Sequence, residues 1–238
     1  MFRLLIWFFC APFFFSFSQE NKGNSYVDIN YFKGYVPLHN PDILHLIKGC
    51  PEGTLIAWNQ RTDGQKEWHR HYNYPDYGTS FMFQDFQNPV LGKVYGFYGH
   101  FNFYFLKRRM MLRIGQGVVI SSNPYDKNSN PKNIAFGSKL LASPYLMLNY
   151  KKSNLIGPLG IQSGLLLFHA SNGNIKAPNT SVNNIAFNIG LNYDLGSKEI
   201  IPEYLSEEVF ISEGLKINLV FRSGLNQISV VGGSQFPF

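Results

Sequence analysis

Residues 94–106 read VYGFYGHFNFYFL, and five of the six odd-numbered positions carry an aromatic side chain. The odd positions carry Tyr95, Phe97, Gly99, Phe101, Phe103 and Phe105, whereas the even positions include Gly96, Tyr98, His100, Asn102 and Tyr104. Because successive side chains of a β-strand point to opposite faces, this alternation predicts a strand with one apolar face and one mixed, hydrogen-bonding face.

The same alternation recurs along most of the chain. It predicts further strands at 112–121, Asn133–Tyr150, Leu155–His169 and Asn183–Leu195, and others at Tyr26–Val36, Thr54–Gln60 and Leu215–Ser223. Tight turns are predicted at Lys107-Arg108-Arg109 and at Lys151–Asn154, and a long polar loop at 123–132. Together with residues 94–106, the pattern gives about eight strands.

Several of these strands exceed the usual length of about five or six residues. Long alternating strands fit a bilayer-spanning barrel, which has a lipid-facing apolar band and aromatic girdles. The alternative is a soluble β-sandwich or lipocalin-like barrel, whose outer faces would carry more Lys and Glu than the Gly, Asn, Ser and Tyr found here. A spanning helix at Ser153–Ile175 is disfavoured by Gly157-Pro158 and by the clean alternation. We therefore expect an all-β, antiparallel transmembrane β-barrel of about eight strands.

The first eighteen residues indicate the compartment. Met1–Ser18 contains Arg3, an apolar stretch and then small residues at the positions that a signal peptidase requires. The alternative is a membrane anchor, but the apolar stretch is shorter than the ~20 residues of a spanning helix. We expect residues 1–18 to be a cleaved signal peptide and residues 19–238 to form one outer-membrane barrel domain. After cleavage only Cys50 remains, which excludes an internal disulfide.

Composition argues against several classes of function. The chain has 238 residues and a net charge of +6, but its basic residues are scattered, so a nucleic-acid partner is not expected. His69 and His71 lack a clear third ligand, so a loop or interfacial role is favoured over a metal site. Gly115-Gln116-Gly117 lacks the context of a nucleotide-binding loop. No metal or organic cofactor is predicted.

The candidate chemistry lies at the end of the strand Leu155–His169. His169 and Ser171 are two residues apart, so both side chains leave the same face, on which Leu165 and Leu167 also lie. A histidine can act as the general base for a serine, but a bare His-x-Ser pair is common by chance in a strand that enters a polar loop. Polar groups on a lipid-facing side are costly and usually functional. An antiparallel hairpin would also bring Asn183 beside His169.

The segment from His169 to Asn179, HASNGNIKAPN, resembles the His-x-Ser-Asn…Pro-Asn signature of the outer-membrane lipid A 3-O-deacylases, the acyloxyacyl hydrolase family. Segments at Gly78–Leu91, Tyr125–Asn133 and Phe136-Gly137-Ser138 are similar to its longer-chain branch, and the resemblance extends over about Tyr31–Ser229. It implies an outer-membrane barrel of a Gram-negative bacterium that removes an ester-linked acyl chain from lipid A of lipopolysaccharide. Carried over by position, it implies the following roles: Ser171 as nucleophile, His169 as its base, Asn183 as third residue, and Asn172, Gly173 and Asn179 in oxyanion stabilisation or loop shaping.

The sequence departs from this family at two points. The best-studied members have an acidic residue where this chain has Asn183, although an amide can still orient a histidine by hydrogen bonding. That change favours the alternative of a catalytically silent barrel with a structural or binding role, whereas the intact His169 and Ser171 favour the enzyme. Members of the longer branch also continue beyond the position of Phe238. The end is therefore expected either to lack a final strand or to use Phe236 and Phe238 as an aromatic-ended one; the oligomeric state stays open.

Overall fold

The structure is a computed structural model that describes residues 24–196, 217, 219–221, 223–227 and 231–237. Eight antiparallel strands form a closed barrel in which each strand pairs with its neighbour in sequence and the last pairs with the first. They are β1 (Ser25–Tyr35), β2 (Glu52–Gln60), β3 (Asp76–Asp85), β4 (Lys93–Phe105), β5 (Met110–Ser121), β6 (Leu140–Ile156), β7 (Leu159–Ala170) and β8 (Val182–Asp194).

The remaining elements are short. A 3-10 helix spans Pro41–Leu46, and α1 spans Glu67–His71. Two further strands, β9 (Leu225–Gln227) and β10 (Gln235–Pro237), pair with each other and are not part of the barrel. Within the described ranges, no helix is both long and apolar enough to cross a membrane.

The two faces of the barrel wall have opposite character. Phe97 is 61% exposed and Ile189 60%, whereas Arg113 and Asn102 in the lumen are completely buried. A soluble barrel would have its apolar side chains inside, so this inverted arrangement is that of a barrel whose outer surface contacts lipid. The prediction of an eight-stranded antiparallel transmembrane barrel is therefore confirmed.

The lumen is filled by side chains in two layers. Near the loops that follow β1, β3, β5 and β7, Phe86 packs against Phe136 and Phe168. Toward the other end, Asp28 and Arg113 anchor a network of charged and amide side chains. Among the described residues, these two layers occupy the lumen, so a catalytic site is expected on a loop or on the outer wall.

The loops at the two ends differ in length. At one end, segments 36–51, 86–92, 122–139 and 171–181 connect the strands; this end is called the outer rim below. At the other end lie the start of β1, the end of β8, the short turns 106–109 and 157–158, and the longer segment 61–75. Since the longer loops of outer-membrane barrels are extracellular, the outer rim faces the exterior of the cell.

The structure differs from the sequence predictions at four points, and a fifth prediction lies outside the residues that it describes. Strand β3 was missed; its outward Tyr77, Phe81 and Phe83 alternate with inward residues that, apart from Met82, are small or polar. The strand predicted from Asn133 begins only at Leu140, because Asn133 Oδ1 accepts from the backbone N–H groups of residues 135 and 136 and holds that segment as a loop.

The turn predicted at Lys151–Asn154 lies instead at residues 157–158, where Gly157 adopts a positive φ of 57°. The described residues of the strand predicted at Leu215–Ser223, namely 217, 219–221 and 223, are not in a strand. The signal peptide predicted at residues 1–18 lies outside the described residues.

Candidate active site

The hairpin of β7 and β8 brings two of the predicted residues together at the outer rim. His169 pairs with Asn183 across the hairpin, and His169 lies on the outward parity of Leu165 and Leu167. Its neighbours Phe168 and Ala170 point into the apolar layer of the lumen and are almost fully buried. Because those two neighbours are anchored inside, the imidazole of His169 must project from the outer wall.

The imidazole of His169 is held in a defined tautomer. Its Nδ1 lies 2.7 Å from Oδ1 of Asn183. An amide oxygen can only accept a hydrogen bond, so Nδ1 carries the hydrogen and donates it to Asn183. Nε2 then presents its lone pair away from the hairpin, which is the form of histidine that can accept a proton from a nucleophile.

The hydroxyl of Ser171 lies just beyond the end of β7. Its backbone forms an antiparallel bridge with Ala142 of β6, which extends the strand to this residue. Ser171 Oγ accepts two hydrogen bonds, from the backbone N–H of Gly173 at 3.1 Å and from Nδ2 of Asn179 at 2.8 Å. Two donors that converge on one oxygen are an arrangement that stabilises negative charge there.

His169 and Ser171 share one face of the strand, but within the described ranges no hydrogen bond joins their side chains. Their Cβ atoms are about 7 Å apart by strand geometry. Both groups that bond to Ser171 Oγ are donors, so its own hydroxyl hydrogen remains available for His169 Nε2. Such bonds are often long in the absence of substrate and shorten when it binds.

The segment after Ser171, residues 171–181, is called the active-site loop below. Asn179 Oδ1 accepts from the backbone N–H of Asn172 at 3.0 Å, and Asn172 Nδ2 donates to the carbonyl of Lys176 at 2.7 Å. Asn172 therefore shapes the loop, and its N–H is already engaged. Asn179 both shapes the loop and donates to Ser171, and Gly173, with φ of 65°, turns its N–H toward the same oxygen.

An apolar groove runs beside the imidazole on the outer wall. It has a volume of about 450 Å³ and is lined by side chains of β6, β7 and β8 together with Pro37. Leu146, Leu167 and Ile185 form its apolar side, and His169 and Asn183 lie at its polar end. A groove with this lining suits a hydrocarbon chain with a polar group at one end.

The structure also describes the histidines near α1. His69 is buried, and its Nδ1 lies 3.2 Å from Asp63 Oδ1 and accepts from the N–H of Gly64 at 3.2 Å. Burial lowers the pKa of His69, although Asp63 opposes that shift. In the part of the chain that the structure describes, no three His, Cys, Asp or Glu side chains are grouped to hold a metal ion.

The contacts of the active-site loop with β9 and β10 are not predicted by the sequence. Gln227 of β9 and Gln235 of β10 both hydrogen-bond to it. No periodicity or spacing could indicate these contacts, because they join segments about 50 residues apart. A contact of Ser143 in β6 was also missed: its hydroxyl donates to the carbonyl of His169 at 2.7 Å. Ser143 lies on the inward face of β6, where the sequence pattern predicts only packing in the lumen.

Comparison with known proteins adds a family match. Residues 52–192 match the model of a family described as lipid A 3-O-deacylase (PagL), and this segment contains His169, Ser171 and Asn183. Among solved structures, the crystal structure of the outer membrane enzyme PagL is 16% identical, with a TM-score of 0.43, and the match covers 68% of this chain and 97% of that one. The crystal structure of Neisserial surface protein A (NspA) is 12% identical, with a TM-score of 0.44 and coverage of 71% and 96%. No curated protein matches the sequence.

Proposed function

The chain belongs to the lipid A 3-O-deacylase (PagL) family, and on that premise we propose that Ser171 and His169 cleave an ester-linked acyl chain of lipid A on the lipid-facing exterior of the barrel. Family membership makes the protein an ester hydrolase that removes an acyl chain from lipid A. Together with its closed barrel and apolar outer wall, that membership makes it an outer-membrane protein of a Gram-negative bacterium. The Ser/His mechanism is our proposal.

The observation that carries the mechanism is the outward-facing His169 whose Nδ1 donates to Asn183, two residues from a serine that accepts two hydrogen bonds. In the first step, Ser171 Oγ attacks the carbonyl carbon of the ester while its proton passes to His169 Nε2. The carbonyl oxygen becomes an oxyanion. In this proposal the N–H of Gly173 and Nδ2 of Asn179, which donate to Oγ before the attack, turn to the oxyanion once Oγ has bonded to the carbonyl carbon.

The tetrahedral intermediate then breaks down. The bond between the carbonyl carbon and the sugar oxygen breaks, and protonated His169 gives its proton to that oxygen, which leaves as the hydroxyl of lipid A. A water molecule next attacks the acyl-serine with His169 as base, and the fatty acid leaves while Ser171 recovers its proton. No cofactor is needed, because each step exchanges only a proton and an acyl group.

The position of these residues supports a substrate that stays in the membrane. His169 and Ser171 lie at the outer rim, at the boundary between the apolar wall and the loops. The apolar groove beside His169 can hold the acyl chain, so its ester group would lie at the polar end of the groove. An enzyme with this geometry reaches an ester near the membrane surface without extracting the lipid.

Replacement of either residue tests the mechanism. We expect Ser171→Ala and His169→Ala each to lower lipid A deacylation by about 10⁴-fold or more, as triad deletions do in serine hydrolases. Mass spectrometry of lipid A from cells that express each variant measures the acyl chains removed. Because both side chains are on the surface, the barrel should fold as in the wild type.

Ser163→Ala is the matched control, because Ser163 lies on the same outward face of β7 and its side chain makes no hydrogen bond within the described ranges. This variant should process lipid A at the wild-type level. If Ser171→Ala or His169→Ala also retains that level while folded, another nucleophile or base performs the reaction and the proposed mechanism is wrong.

A further inference from the structure

The two C-terminal strands lie against the active-site loop. The backbone N–H of Gln227 donates to the carbonyl of Asn174 at 2.8 Å, and the N–H of Ala177 donates to Gln227 Oε1 at 2.6 Å. From β10, Gln235 Nε2 donates to the carbonyl of Ile175 at 2.7 Å. Three hydrogen bonds thus tie residues 174–177 to a segment more than 40 residues later in the chain.

The contact with Ala177 has an energetic consequence. Ala177 is buried, and its N–H has no acceptor other than Gln227 Oε1 among the described residues. A buried N–H that loses its acceptor is costly, so the loop would have to move to expose it to water. Gln227 therefore constrains where this part of the active-site loop can lie.

A short chain of contacts joins this constraint to the nucleophile. Asn179, two residues after Ala177, uses one Nδ2 hydrogen for Ser171 Oγ at 2.8 Å and the other for Asn174 Oδ1 at 3.0 Å. The C-terminal hairpin, formed by β9 and β10, contacts the loop at Asn174, which is itself a partner of Asn179, and at Ala177, two residues before Asn179. Displacement of residues 174–177 would move the amide that donates to Ser171.

We propose that Gln227 is a positioning residue of the active site: by holding the active-site loop it keeps Asn179 within hydrogen-bonding distance of Ser171. This inference rests on the proposed function of Ser171. Gln227 lies outside residues 52–192, the segment that matches the family model. The C-terminal hairpin is then a part of the catalytic unit that the matched segment does not contain.

The two polar atoms of the Gln227 amide have different partners, so their contributions can be tested separately. Oε1 accepts from the loop, whereas Nε2 donates to the carbonyl of Gly233 at 2.6 Å within the hairpin. Gln227→Ala removes both contacts, and Gln227→Glu keeps the acceptor for Ala177 while it loses the donor to Gly233. Asn226→Ala is the matched control, because Asn226 is exposed and its side chain has no hydrogen-bond partner within the described ranges.

The experiment measures kcat and KM of the purified full-length protein on lipid A in detergent micelles, together with amide hydrogen exchange of the loop. We expect Gln227→Ala to lower kcat by about 10- to 100-fold, as small displacements of catalytic groups do, with KM changed by less than about twofold. The amide of Ala177 should lose its protection from exchange. Gln227→Glu should restore both the rate and the protection, and Asn226→Ala should match the wild type.

Several results would overturn the proposal. Wild-type kcat in Gln227→Ala would do so, and so would an Ala177 amide that stays protected in that variant. Equal impairment of Gln227→Glu and Gln227→Ala would mean that Gln227 only stabilises the hairpin through Gly233. Ser171→Ala, measured in parallel, separates the two proposals: activity in that variant overturns both, whereas its inactivity beside a fully active Gln227→Ala overturns only the positioning role.

Discussion

At the scale of single residues, the proposed mechanism assigns Asn183 the task of orienting His169. Its Oδ1 accepts from Nδ1 at 2.7 Å, so it fixes the tautomer of the ring. A neutral amide cannot offset the positive charge that the imidazole gains when it takes the proton of Ser171. In the proposed mechanism, Asn183 therefore orients His169 as a triad acid does, but does not stabilise its positive charge.

Two substitutions of Asn183 separate the orientation of His169 from the stabilisation of its charge. Asn183→Asp places a carboxylate at the same point with the same side-chain length, and we expect kcat/KM to rise by about tenfold because the imidazolium is stabilised. Asn183→Ala should lower kcat/KM by about 10- to 100-fold but leave activity above that of Ser171→Ala. Steady-state kinetics on lipid A checks both, and full activity in Asn183→Ala would show that the third position lies elsewhere.

The placement of His169 beside Asn183 was predictable at this scale, because it depends on side-chain parity and on the register of one hairpin. Residues 169, 171 and 183 follow from alternation along two adjacent strands, and register then pairs His169 with Asn183. The family resemblance added Asn172, Gly173 and Asn179, which the structure brings to the active-site loop; their catalytic roles stay predictions. Gln227 was not predictable, because a contact made by an irregular loop leaves no period in the sequence.

At the scale of elements, strands with a strict alternation were predicted better than those without it. Strands β4 and β8 match their predicted ranges closely, since large apolar residues fill nearly every outward position. Strand β3 was not predicted, because the small side chains of Gly78, Thr79 and Ser80 interrupt its alternating pattern. The boundary of β6 was misplaced because side-chain hydrogen bonds within residues 133–136 override an apolar alternation that continues through them.

The loop that contains Gly137 packs against the active-site loop, and substitution of Gly137 tests whether this contact matters for the site. A Cβ at this position would lie 2.2 Å from the carbonyl oxygen of Pro178 and 2.5 Å from that of Lys176, so the active-site loop would have to move. Lys176 accepts from Asn172, and the shift would disturb the loop that donates to Ser171. We expect Gly137→Ala to lower kcat by about tenfold or more.

The barrel itself should tolerate this change, because the clash is confined to loops at the outer rim. Urea unfolding in lipid vesicles should report a loss of less than about 3 kcal/mol, the usual range for overpacking. Gly99→Ala is the control, since a Cβ there meets nothing within 4 Å on the outer wall, and it should leave both measurements unchanged. A Gly137→Ala enzyme as fast as Gly99→Ala would show that the loop shifts without effect on Ser171.

At the scale of the whole molecule, the filled lumen and the outward position of the candidate site both follow from the inverted barrel, with packed side chains inside and an apolar wall outside. The lumen holds the barrel together from inside, so the outer wall is free to contact lipid and to carry the polar groups of the proposed site at its rim. Asp28 of β1 and Arg113 of β5 meet across the lumen, with Oδ2 and Nη2 2.6 Å apart, and both side chains are completely inaccessible to solvent. Asn59 of β2 and Asn102 of β4 hydrogen-bond to the same pair.

This pair should stabilise the barrel without affecting catalysis. Asp28→Asn leaves the charge of Arg113 buried without its counter-ion, and loss of one partner of a buried pair costs about 3–5 kcal/mol. The double variant Asp28→Leu with Arg113→Met removes both charges, so it should be more stable than either single variant. Urea unfolding in lipid vesicles measures these differences, and kcat per folded molecule should stay at the wild-type value because the pair lies below the apolar layer that supports His169. If Asp28→Asn unfolds at the wild-type urea concentration, the pair does not stabilise the fold, and the apolar layer near the outer rim must hold the barrel closed.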